Sequence, residues 1–145
     1  MDNAFEYAIE NPLESEFDYP YIAREQSCKY DKSKGKAKVS QFCNVDSATG
    51  GPDLLRAALV NSPVSVAIEA DETAFLLYTK GVITQGCGTN LDHGVLAIGY
   101  GTEDGNDYFL VKNSWGDQWG DLGFVKIGVN NVCGILAQPS YPLYH

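Results

Sequence analysis

The chain has 145 residues, a formal net charge of −9, 44% hydrophobic residues and 20% charged residues. Those values describe a soluble globular chain long enough to bury a real core. The acidic balance argues against a nucleic-acid partner, and no run of eighteen or more apolar residues is available to cross a membrane.

The N-terminal MDNAFEYAIEN lacks a basic-then-apolar signal pattern. Met1, Phe5, Ala8 and Ile9 share one face at helical spacing, predicting a helix over residues 1–11 that Asn11-Pro12 stops. From Glu16 to about Gly51 the pattern is irregular. Six of the ten basic residues, Arg24, Lys29, Lys32, Lys34, Lys36 and Lys38, crowd this stretch without a Gly-rich phosphate loop, which reads as a solvated surface. Pro52 and Asp53 start a short helix to about Val60, with Leu54, Leu55, Ala58 and Leu59 on its apolar face.

After Pro63 the period drops to two. Val64, Val66 and Ile68 alternate with Ser65, Ala67 and Glu69 in a half-buried strand. Three further strands are expected at 94–100, 108–112 and 123–127, separated by glycines. The second half is therefore mostly β, an antiparallel sheet or small barrel, and the simplest organisation is one unit over 1–145.

Cys28, Cys43, Cys87 and Cys133 contain no C-x-x-C pair, and the chain has only two histidines, so no metal site is expected. Disulfides formed in an oxidising compartment are the better reading, with pairing left open by spacing alone. No N-x-S/T sequon occurs.

His93, Asn113, Ser114, Trp115 and Trp119 each have an ordinary structural reading when taken singly. Together they point elsewhere. Asp92-His93-Gly94 opens one strand, and Lys112-Asn113-Ser114-Trp115-Gly116 closes the next. An antiparallel pairing through the loop 101–107 makes His93 and Asn113 neighbours at one sheet edge. A carboxamide oxygen there would accept from one imidazole nitrogen and leave the other facing a nucleophile. A tryptophan two residues on would cover that bond from water, and Gly94 leaves room for a substrate backbone.

LDHGVLAIGYG, followed by DYFLVKNSWGDQWGDLGFVKI, resembles the histidine and asparagine blocks of the papain family of cysteine peptidases, its cathepsin L-like members included. MDNAFEYAIE, FDYPYIAREQSCKY, PVSVAIEA and CGILAQPSYP also have family counterparts, so the likeness runs from Met1 to about Pro142. The resemblance implies an α+β fold, mainly the antiparallel β-barrel domain (residues 16–145) with 1–15 as a remnant of the helical domain. It implies that His93 is general base and acid, that Asn113 orients it, that Trp115 shields their bond and that Trp119 meets the leaving side of the substrate. Ser114 carries no separate role.

The family's nucleophilic cysteine and oxyanion glutamine have no counterpart here. Gln26-Ser27-Cys28 is only a superficial match in a basic loop, and Cys28 sits where the family has a disulfide cysteine. Without a thiolate no thioester forms, and one lost oxyanion donor is worth roughly 3–4 kcal/mol. The chain alone is therefore expected to be inactive.

The resemblance also implies a Cys87–Cys133 bridge, contributing roughly 4 kcal/mol on the chain-entropy account. Cys43 has no family counterpart, and Cys28 and Cys43 are expected free rather than paired. The substrate pocket is expected at Met1, Ala67, Leu91, Asp92 and Gly94, with Gln138 at its floor. Apolar walls would favour Leu, Val or Phe, and Gln138 would tolerate Arg. No cofactor is expected. The expected partners are a peptide or protein substrate and either the missing N-terminal segment or a second copy of the chain. An endolysosomal or secreted setting follows from the resemblance. The leading reading is a peptidase seen in part. Its competitors are a non-catalytic relative that binds peptides or a partner protein, and a structural domain that keeps the pair as a relic.

Overall fold

The computed structural model describes residues 1–144. It divides into two compact units: Met1 with 44–141, and 2–43 with the C-terminal residues from Pro142.

In the second of these, helix α1 (Asp2–Glu10) buries Ala8 and half-buries Phe5 and Ile9, with Asp2 in the first turn where a negative charge suits the helix dipole. Phe5 stacks on Phe42 at 5.6 Å between ring centroids. Beyond Pro12 the irregular segment closes on itself by backbone bonds, Leu13 N–H to Ala37 O at 2.7 Å and Lys36 N–H to Leu13 O at 2.8 Å. The Asp31 carboxylate caps a short 3-10 turn over Lys32–Lys34, and the hydrogen bonds from Ser33 hold that carboxyl below its usual range. Strand β1 (Gln41–Asn44) interrupts the stretch expected to be irregular.

The other unit holds the sheet. Helices α2 (Ser47–Gly50) and α3 (Pro52–Leu59) precede strand β2 (Val64–Ile68). Pro52 sits in the first turn of α3, where its missing N–H costs nothing, and Leu55 and Ala58 face the core. Helix α4 (Thr73–Leu76) and the two-residue strand β3 (Val82–Ile83) lead to β4 (His93–Glu103), β5 (Asn106–Lys112), β6 (Phe124–Gly128) and β7 (Ser140–Leu143). Six of the strands run in the order β7-β2-β4-β5-β6-β3. Neighbours are antiparallel except β3 and β6, which pair in parallel.

Alternation builds the core. Val64, Val66 and Ile68 of β2, Val95 and Ala97 of β4, Phe109 and Val111 of β5, and Val125 and Ile127 of β6 are all buried, together with Phe75, Ile135 and Leu136. β4 and β5 are joined by a two-residue turn, Asp104-Gly105, with both φ angles positive, the geometry that matches hairpin twist. Between Ala97 and Gly99 the register shifts by one residue, a bulge that leaves Ile98 outside the ladder. The hairpin therefore fixes which residues of β4 meet the end of β5.

Candidate active site

His93 is the first residue of β4 and pairs with Ile68, the last of β2. Asn113 directly follows β5, where Leu96 opposes Lys112. Extending that register sets position 113 opposite 95 and diagonal to 93 on the same face. His93 Nε2 indeed lies 2.8 Å from Asn113 Oδ1. Ser114 N–H donates to the same oxygen at 2.8 Å, which settles the orientation of the carboxamide. An amide oxygen only accepts, so His93 Nε2–H donates, and Nδ1 takes no part in that bond. Asn113 is 7% exposed, and its Nδ2 has no acceptor among the described residues.

An aromatic cluster supports the pair. The Trp115 ring lies 5.1 Å from His93 at a 30° tilt. Phe75, fully buried on α4, makes an edge contact with Trp115 at 5.4 Å and packs on Trp119 at 4.9 Å. Trp119 Nε1–H donates to Leu76 O at 3.1 Å, fixing the second indole. The loop from Asn113 to Phe124 folds this way because it turns at Gly116, Gly120 and Gly123, all at positive φ. At Gly120 a Cβ would fall 2.7 Å from Phe124 O, so no other residue fits there.

A cleft of about 500 Å³ is lined by Met1, Ser65, Gly94 to Leu96 and Lys112 to Ser114. Of the pocket residues expected from sequence, Met1 and Gly94 line this cleft, and Ala67 pairs with Gly94 across β2 and β4. Leu91, Asp92 and Gln138 do not line it. Gln138 is exposed, and Leu91 is half-buried against Gly134. Asp92 is structural as well as adjacent: its Oδ1 accepts from Ala70 N–H at 2.8 Å.

Two residues near the site escaped sequence reasoning. Phe75 lies in the four-residue helix α4, too short to show a period. Glu69 occupies what reads as a solvent-facing position of the β2 alternation, yet it is buried, because β2 ends at Ile68 and the segment 87–90 lies over it. Glu69, Asp71 and Glu72 bring carboxylate oxygens within 4.8 Å of one another, but both Glu69 oxygens already accept backbone N–H groups.

Cys87 and Cys133 form a disulfide with Cα atoms 4.8 Å apart. Cys28 and Cys43 are free, the first exposed and the second half-buried.

A family profile described as papain family cysteine protease matches residues 1–143. The probable cysteine protease RD21B of Arabidopsis thaliana is 46% identical over 153 residues, covering 99% of this chain and 32% of that protein. Bovine (Bos taurus) cathepsin S is 44% identical over 147 residues, covering 98% of this chain and 44% of its own length. Among solved structures, digestive procathepsin L 3 of Tenebrio molitor larval midgut superposes with a TM-score of 0.90 at 39% identity, covering 99% of this chain and 48% of that one. The chain thus spans between about a third and a half of the relatives it matches. With the His–Asn pair, the tryptophan loop and these likenesses in agreement, the chain belongs to the papain family of cysteine proteases.

Proposed function

We propose that these residues supply the acid–base half of a cysteine endopeptidase, with His93 as proton acceptor and donor. One observation carries the reading: Nε2–H donates to Asn113 at 2.8 Å, which commits the ring proton to that side and leaves Nδ1 to take a thiol proton. The thiolate would attack the scissile carbonyl. His93 would then return its proton to the departing amine, and a water activated by the same ring would release the acyl group. Asn113 orients the imidazole, Trp115 lowers the local dielectric around the bond, and Trp119 forms the leaving-side wall.

The nucleophilic cysteine and its oxyanion donors are proposed to come from polypeptide beyond these 145 residues or from another chain. Peptide side chains would enter the cleft at Met1 and Gly94, with Ala67 beside it, and only side chains extending past the cleft would reach Leu91, Asp92 and Gln138. The Cys87–Cys133 bridge supports an oxidising setting, endolysosomal or secreted. By itself the chain would bind a peptide without cutting it, which is also how a non-catalytic relative would behave.

The test is a peptidyl fluorogenic substrate offered to the purified chain and to Cys28→Ser. No turnover is expected from either. Cleavage by the Cys28→Ser protein would overturn the assignment of the nucleophile to other polypeptide, and thiol-dependent cleavage by the unsubstituted chain alone would make Cys28 the nucleophile.

A further inference from the structure

Glu69 is a carboxylate that the proposed chemistry does not use. It lies one residue beyond β2 and is 7% exposed. Its Oε2 accepts Gly88 N–H and its Oε1 accepts Asn90 N–H at 3.2 Å, while its own N–H donates to Cys133 O at 2.9 Å. The next residue, Ala70, donates its N–H to Asp92 Oδ1 at 2.8 Å, and Asp92 N–H donates to Ile68 O at 3.0 Å. Residues 68–70 and 88–92 are therefore stitched together right up to His93.

The chemistry of the contact is specific. Two converging N–H groups need two acceptors and no donor, which a carboxylate provides and a carboxamide does not. Burying a carboxylate is costly unless such bonds are made, so a residue chosen only to fill space would be apolar. The backbone at 88 is shaped to the same contact, since a Cβ built there would stand 2.8 Å from Glu69 Oε2. On the other side of His93 the ladder of β4 holds the chain, but residues 88–92 belong to no strand. The Cys87–Cys133 bridge and the contact of Leu91 with Gly134 anchor them too, but among the described residues their side-chain hydrogen bonds to the end of β2 run through Glu69 and Asp92.

We propose that Glu69 is a positioning residue: its carboxylate holds the segment 88–92 and thereby sets the His93 ring against Asn113. This rests on the reading of His93 and Asn113 as the acid–base pair.

The test uses the whole 15N-labelled chain. In Glu69→Gln, which keeps the shape, amide hydrogen exchange at Gly88 and Asn90 should rise roughly tenfold or more, while Phe109 and Val111 in β5 keep their protection. The hydrogen-bonded His93 Nε2–H resonance should broaden or vanish. Exchange within twofold of the unsubstituted chain, or an unchanged His93 signal, would show that Glu69 only fills space and would overturn the proposal. If Glu69→Gln does not fold, Gly88→Ala displaces the carboxylate without removing a polar group. Loss of the His93 signal there supports the proposal, and its retention refutes it. A failure of the underlying pair is separable, because the Nε2–H signal would then be missing from the unsubstituted chain itself.

Discussion

Replacing Phe75 by Ala tests whether the aromatic cluster holds the site or merely adjoins it. The ring is fully buried, with centroids 4.9 Å from Trp119, 5.4 Å from Trp115 and 6.3 Å from His93. Removing a buried Phe costs about 3–5 kcal/mol through lost transfer energy and the cavity left behind. Aromatic pairs add about 0.5–1.5 kcal/mol each, part of which the first range already contains. The expected loss is therefore about 4 kcal/mol, a large share of the ~5–15 kcal/mol typical of a domain. Phe75→Leu, which refills most of the volume, should cost about 1–1.5 kcal/mol. Urea denaturation followed by far-UV circular dichroism measures both. Tryptophan emission reports locally, because both tryptophans of the chain pack on this ring, and it should shift to the red in the native Phe75→Ala protein. A loss below about 1 kcal/mol for Phe75→Ala, or unshifted emission, would refute the idea that this side chain carries the cluster.

Asn113→Ala strands two donors, His93 Nε2–H and Ser114 N–H, but also removes the unpaired Nδ2. The net cost should be about 1–2 kcal/mol, and neutral His93 should change from one tautomer to a mixture, visible in its 15N ring shifts. A ring that stays in the Nε2–H form without Asn113 would contradict the role given to the amide. Tyr78 supplies a pH dependence. Burial pushes its phenol above the ordinary value, an effect only partly opposed by the Lys126 N–H it accepts. The unfolded chain then loses this proton first, so the contribution of Tyr78 is complete below pH ~10 and declines as pH rises towards the folded value. Lys126, held protonated by Glu103, adds a decline of the same sign. Tyr78→Phe should therefore show a shallower fall in stability between pH 9 and 11 by urea titration; an identical slope would count against it.

What could be read before folding follows physical lines. β2 and β4 were legible because one face is buried and the other is not, so alternation survives in the letters. α3 was legible in Pro52, but the connection expected as a loop over 101–107 is only the two-residue turn Asp104-Gly105, because the two strands pair on as far as Glu103 and Asn106. His93 and Asn113 were legible because a single hairpin relates them. β3 was not: two residues pairing in parallel with β6 carry no period. Glu69 was hidden for a different reason. Its burial comes from a segment nearly twenty residues away in sequence. The same long-range origin conceals Phe75, whose partners lie at 115 and 119. Local pattern reports local environment, and these side chains owe theirs to distant chain.

The β4–β5 hairpin also bears on how the molecule comes together. The imidazole and its carboxamide partner sit near the two open ends of one ribbon, twenty residues apart, and a two-residue turn closes its other end. A loop so short costs little entropy to close, and hairpins form in roughly 1–10 μs. The pairing that brings positions 93 and 113 together is thus local in sequence, whereas the clasp between positions 87 and 133 joins remote segments and needs oxidation. A chain held in a reducing environment would therefore lack that clasp next to the segment 88–92 while the pairing of β4 with β5 stays available to it.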